Sequence, residues 1–126
     1  MSDFYRENIL EHYKHPRNYG SLKKPDSFAE DTNPLCGDRM KFELRHKAGI
    51  ITGIAFTAEG CALSIASASL LSEYVKGKNI AEVLKLDHNS MRELLEIEIS
   101  SGRIKCALLP LSALCKAVTH KQKNYG

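Results

Sequence analysis

Hydrophobic positions change their period along this chain. Tyr5, Ile9 and Tyr13 recur every four residues with Leu10 beside them, one apolar stripe on a helix from about Asp3 to Tyr13. Pro16 ends that helix, because the residue before a proline is pushed out of the helical region. From Arg17 to Asn33 the chain reads as extended and turn-rich, with Gly20, Pro25 and Asp26. At Asp38 the period becomes two: Met40, Phe42 and Leu44 alternate with Arg39, Lys41, Glu43 and Arg45, a strand with one wet face. Lys47-Ala48-Gly49 supplies a hairpin turn, and Ile50 to Thr57 the returning strand. Gly60 marks the switch to helix. Ala62 to Val75 is rich in Ala, Ser and Leu, with Lys76-Gly77 as a stop. Asn79 and Glu82 resemble a capping box before a short helix holding Ile80, Val83 and Leu84. A further helical piece spans Asn89 to Leu95, and Ser100-Ser101-Gly102 breaks the chain before a last helix from about Cys106 to Thr119. Helix, hairpin, then a run of helices predicts an α+β fold, with helices packed on one face of a small antiparallel β-sheet.

Length changes the picture little: 126 residues make one domain, with an ordered core from about residue 5 to 118 and a short basic C-terminal tail. The longest stretch without a charge, Gly60 to Ser72, is 13 residues, too short to span a bilayer. Met1 to Glu7 has acids and no apolar run, unlike a secretory signal. We therefore expect a cytoplasmic protein with no membrane partner. The net charge of +3 is mild. Tyr13 and Tyr19 interleave with the basic Lys14-His15-Pro16-Arg17 stretch, but no nucleic-acid-binding module surrounds them, so no nucleic acid is expected. The five histidines lack metal-ligand spacing and read as surface residues.

The four cysteines carry the chemistry: Cys36, Cys61, Cys106 and Cys115. In a cytosolic chain metal binding or thiol chemistry outweighs a disulfide framework. Cys36 lies in the loop before the first predicted strand, while Cys61 and Cys106 stand at helix starts, where backbone amides favour a thiolate. Cys115 is different. It shares one apolar face of the last helix with Leu108, Leu111 and Val118, on the side opposite Cys106, and reads as core. Asp38 follows Cys36 by two residues across a glycine that lets the backbone turn. Three thiolates and one carboxylate form a complete four-ligand set for Zn²⁺ or for a small iron–sulfur cluster, although a turn residue opening a strand would also explain Asp38.

Several motifs, in order, carry a family resemblance. Tyr5 to Tyr13 followed by Pro16-Arg17-Asn18-Tyr19-Gly20, then Asn33-Pro34-Leu35-Cys36-Gly37-Asp38, Gly60-Cys61-Ala62 with Ser64 to Ser69, and Lys105-Cys106-Ala107 resemble the IscU/SufU/NifU N-terminal family of iron–sulfur cluster assembly proteins. The resemblance covers about Tyr5 to Val118. It implies a SufE/IscU-like fold and a scaffold that takes persulfide sulfur from a cysteine desulfurase, and iron, to build a transient [2Fe–2S] cluster for recipient apo-proteins. The implied ligands of cluster or metal are Cys36, Asp38, Cys61 and Cys106. Cys36 and Cys106 are the candidate sulfur acceptors, and Lys105 beside Cys106 either stabilises a thiolate or persulfide there or is simply a solvated lysine. Such a scaffold acts stoichiometrically rather than as an enzyme. A SufU-like alternative is a zinc-bound sulfurtransferase that accelerates its desulfurase without building a cluster, and a small structural zinc domain is a third reading. The 44 residues between Cys61 and Cys106 resemble the shorter IscU arrangement, while Arg103-Ile104-Lys105-Cys106-Ala107 looks more like SufU. Ser100 to Lys105 stands where IscU carries the segment that recruits a dedicated chaperone, so the resemblance does not extend to that partner.

Overall fold

A computed structural model describes residues 2–33, 37–96 and 104–119. Cys36, the Ser100-Ser101-Gly102 break and the basic tail from His120 lie outside the described residues. In chain order the elements are α1 (Ser2–Lys14), β1 (Ser27–Asn33), β2 (Asp38–Lys47), β3 (Ile50–Glu59), α2 (Ala62–Val75), α3 (Ile80–Val83), α4 (His88–Leu95) and α5 (Ile104–Thr119). The sheet order is β1-β2-β3, antiparallel throughout.

The alternation in β2 does what its pattern predicts. Met40, Phe42 and Leu44 are buried against the helices, and Phe42 stacks obliquely on Phe56 of β3 with ring centroids 5.6 Å apart. Leu71 and Val75 of α2, and Leu111, Leu114 and Val118 of α5, close the same core. α2 is buried along much of its circumference, including Ser64, Ser67, Ser69 and Ser72. This explains its Ala- and Ser-rich composition: small side chains let neighbouring elements approach closely. Asn79 and Glu82 form the predicted capping box at α3.

One strand escapes the sequence reading. Ser27 to Asn33 is not a turn-rich connection but β1, paired with β2 from Ser27 opposite Leu44 to Asn33 opposite Asp38. Its inward positions are Ser27 and Ala29, so its burial alternates while its hydropathy does not. The segment before it closes over the sheet's other face: the Leu22 amide donates to Glu43 Oε1 (2.8 Å), and Arg45 Nη2 donates to the Lys23 carbonyl (2.8 Å). The Gly20 amide and the Asn18 carbonyl bond to Phe56 along the edge of β3. An open strand edge is thereby covered. Among the described residues, no helix is long and apolar enough to cross a membrane.

Candidate metal centre

Three element starts meet at one place. β2 opens with Asp38, Cys61 is the N-cap of α2, and Cys106 lies in the first turn of α5. The ligand atoms of Asp38, Cys61 and Cys106 all lie within 4.8 Å of one another. A tetrahedral zinc with Zn–S bonds of about 2.3 Å needs its ligand atoms roughly 3.5–4 Å apart, so small side-chain adjustments bring this trio onto one ion.

The local sequence explains each position. Gly37 has φ +76°, and its amide donates to the Asn33 carbonyl at 2.8 Å. That left-handed turn carries the chain from β1 into β2 and suits glycine. Gly60 serves a different need. Its conformation is open to other residues, but a Cβ there would stand 2.8 Å from the Asp38 carboxyl carbon. The glycine leaves room for the carboxylate.

Asp38 is 5% exposed, and among the described residues no cation pairs with it. Its Oδ2 accepts a 2.8 Å hydrogen bond from Ser64, which is fully buried one turn into α2. The Ser64 oxygen is also 3.2 Å from the Cys106 carbonyl and 3.6 Å from Cys61 Sγ. A buried carboxylate beside two thiols, whose sulfurs become strong ligands once they give up their protons, is a pocket that a cation would neutralise. The donor set therefore fits a metal.

The two cysteine environments separate as their sequence positions suggest. Burial pushes the Cys61 thiol up, but the Ser64 hydroxyl, the Ser64 and Leu63 amides and the Cys106 side chain outweigh it, leaving Cys61 below the usual thiol range. No capping hydrogen bond closes on the sulfur, so the amides act at longer range. Cys115, half-buried against the core cluster, is pushed up by burial. Lys105 is exposed and lines a groove of about 220 Å³ with Asp31, Thr32, Asn33, Leu108, Leu109 and Ser112, beside the trio rather than within it. His12 departs from a surface assignment: it is half-buried, with Nδ1 2.7 Å from Ser69 Oγ.

The model of the NifU-like N terminal domain matches residues 4–125. This chain belongs to that family. Among curated relatives, the zinc-dependent sulfurtransferase SufU of Bacillus subtilis (strain 168) is 35% identical over 140 residues, covering 97% of this chain and 94% of the relative. The iron–sulfur cluster assembly scaffold protein IscU of Buchnera aphidicola subsp. Baizongia pistaciae is also 35% identical, over 125 residues, covering 95% and 98% respectively. The SufU alignment is longer than this 126-residue chain, so that relative carries residues that the chain lacks. Among solved structures, the N-terminal NifU-like protein from Brucella abortus superimposes with a TM-score of 0.77 at 25% identity, covering 97% of this chain and 96% of that one. The α+β reading and the family resemblance both stand. Family membership leaves the cargo open, because one family holds a scaffold and a zinc-dependent sulfurtransferase.

Sequence reasoning located Asp38, Cys61 and Cys106, which the fold brings together. It missed Ser64, which looks like one more small residue in an Ala- and Ser-rich helix. The available signal was its spacing: three residues after Cys61, it faces the same way from the helix start.

Proposed function

We propose that this protein is an iron–sulfur cluster assembly scaffold that receives sulfur from a cysteine desulfurase, combines it with iron as a [2Fe–2S] cluster, and passes the cluster to recipient apo-proteins. The observation that carries this reading is the convergence of the ligand atoms of Asp38, Cys61 and Cys106 within 4.8 Å of one another. Cys36, two residues before Asp38, completes the set as a fourth ligand. Thiolates suit iron–sulfur clusters, and a carboxylate, being harder, holds one less firmly. One weak ligand suits a protein that must give its cluster away. The short spacing between Cys61 and Cys106, and the gap-poor alignment to IscU, favour the scaffold over the sulfurtransferase.

Sulfur acceptance follows from thiolate chemistry. A thiolate of this chain attacks the outer sulfur of the desulfurase's cysteine persulfide. The donor's S–S bond breaks as a new one forms here, and the desulfurase cysteine departs as a thiolate, so the exchange is redox-neutral; an external thiol or electron-carrier reductant then reduces the sulfane sulfur to the sulfide that iron takes into a cluster. Cys36 and Cys106 are the candidate acceptors, with Lys105 as a neighbouring positive charge.

A second reading has its own support. The relative named a zinc-dependent sulfurtransferase is as identical to this chain as IscU is, and the same donor set suits zinc. Anaerobic protein mixed with a cysteine desulfurase, cysteine and ferrous iron, followed by visible absorbance, separates the two. A cluster band that is lost in Cys36→Ser, Cys61→Ser and Cys106→Ser but kept in Cys115→Ser supports the scaffold. Faster cysteine turnover with bound zinc and no band assigns the sulfurtransferase role.

A further inference from the structure

Ser64 touches every part of the candidate centre that the structure describes. Its oxygen lies 2.8 Å from Asp38 Oδ2, 3.2 Å from the Cys106 carbonyl and 3.6 Å from Cys61 Sγ. It thereby links the starts of β2, α2 and α5, three pieces of chain separated by 26 and 42 residues from Ser64.

Its neighbours are shaped for that contact. In an α-helix the Cys106 carbonyl would accept from the amide of residue 110, but residue 110 is a proline inside α5 and has no N–H. The Ser64 hydroxyl approaches that carbonyl. On the other side, Gly60 keeps the carboxylate's place clear, since a Cβ would lie 3.0 Å from Oδ1 and 3.1 Å from Oδ2. Asp38 is thus held between a glycine that yields space and a serine that supplies a hydrogen bond.

We propose that Ser64 is the positioning residue of this metal centre: it holds the Asp38 carboxylate by Oδ2, leaving the carboxylate's other oxygen as a ligand atom beside the two thiols. The inference rests on the reading of Asp38, Cys61 and Cys106 as ligands. One hydroxyl facing several acceptors also suits a ligand that must let go. When Asp38 moves away, the Ser64 hydrogen turns to the Cys106 carbonyl by rotation alone, so no buried donor is stranded. An alanine offers neither state.

The test uses the full chain with Zn²⁺, titrated against a chromophoric chelator, and with Co²⁺ as a spectroscopic probe. Ser64→Ala should weaken Zn²⁺ binding about 10- to 100-fold, the usual cost of losing a group that orients a ligand. In Co²⁺ protein, Ser64→Ala should keep the thiolate-to-metal absorption while its d–d bands move in the direction seen in Asp38→Ala. Because Ser64 acts through Asp38, the double variant should bind no more weakly than Asp38→Ala alone. Gly60→Ala, which crowds the carboxylate but keeps the hydroxyl, should weaken Zn²⁺ binding too, and it serves as the test should Ser64→Ala lose its helical circular dichroism. Ser67→Ala, at a buried α2 hydroxyl with no hydrogen-bond partner among the described residues, should stay within about twofold of the parent.

Parental Zn²⁺ affinity in folded Ser64→Ala or folded Gly60→Ala, alongside weakened Asp38→Ala, overturns the positioning role and leaves the ligand reading intact. Losses that multiply in the double variant overturn it as well. A parent that binds neither metal overturns the ligand reading and this inference together. A parent that binds zinc in a Ser64-dependent way yet builds no cluster upholds the inference while the scaffold reading fails.

Discussion

In its second half α2 presents Ser69 and Ser72 to the chain leaving α1, whereas in its first turn it presents Ser64 to Asp38 and the Cys106 carbonyl. In the second half the hydroxyls pair with the chain leaving α1, although the Ser72 hydrogen also faces the Arg17 carbonyl at 3.4 Å. Ser69 Oγ accepts from the Arg17 amide (2.9 Å), and with the Nε2–H tautomer of neutral His12 it donates its own hydrogen to Nδ1 (2.7 Å). Ser72 Oγ accepts from Asn18 Nδ2 (2.8 Å) and donates to the Ser69 carbonyl (2.7 Å). In the first turn the Ser64 hydroxyl faces a carboxylate and a carbonyl, with the Cys61 sulfur 3.6 Å away, all at residues whose side chains can bind a metal. Buried serines of one helix thus do two things. Ser69 and Ser72 fix how α1 docks, while Ser64 stands among the carboxylate and thiols where a cation belongs.

The largest test of that contrast is Ser69→Ala. It strips a partner from the Arg17 amide and from His12, and should lower the unfolding free energy by about 1–3 kcal/mol in a urea titration. Zn²⁺ affinity should stay at the parental value. If Ser69→Ala moved zinc affinity as Ser64→Ala is expected to, the two ends of α2 would be one coupled network and the contrast would collapse.

A smaller effect separates the thiols. Metal-free protein at about pH 7.5, treated with iodoacetamide and followed by mass spectrometry, should be alkylated at Cys61 at least about tenfold faster than at Cys115. Cys61 gains thiolate character at a helix start, while burial withholds it from Cys115. Both are half-buried, so access alone does not predict the difference. Equal rates would mean that the α2 start does nothing for its cysteine.

How far the sequence reveals these features depends on where their signal lies. The strands β2 and β3 and the helix α2 write their burial into side-chain type, through Met40, Phe42 and Leu44 and through the long Ala, Ser and Leu run. β1 does not, because backbone pairing holds it to β2 while small residues face inward. Asp31 there is tied to α5 by Ser112 and by Lys116 at 3.1 Å, contacts between residues far apart in the chain. The candidate centre divides likewise. Asp38, Cys61 and Cys106 are visible because carboxylates and thiols bring their own chemistry. Ser64 and Gly60 act only through what folding places beside them, and a serine in a helix or a glycine after a strand has commoner explanations. Pro110 is the sharpest case: a helix breaker by composition, it stands inside α5, opposite a hydroxyl that serves the carbonyl it cannot reach.

The finest test of the contrast uses protons at the α1–α2 seam. Burial, and then the Arg17 charge, hold the His12 imidazole below its ordinary value of 6.5, with Glu73 and Glu11 pulling the other way. The unfolded chain therefore binds a proton at His12 while the folded ring is still neutral, and the proton-binding difference makes stability rise with pH and drop as the solution is acidified. The contribution is complete above the unfolded value and is lost as pH falls through the lower, folded one. Protonation also turns Nδ1 from acceptor to donor, so Ser69 Oγ would face two donors and its own hydrogen would need another acceptor. Urea titrations should show a steady unfolding free energy from about pH 8 to 7 and a decline below 6.5, with a shallower decline in His12→Gln. The effect is the smallest of the three because the ring is partly solvated and its charge is screened. Parallel curves for parent and variant would move the pH dependence away from this seam, and the α1-facing end of α2 would then carry no titrating member.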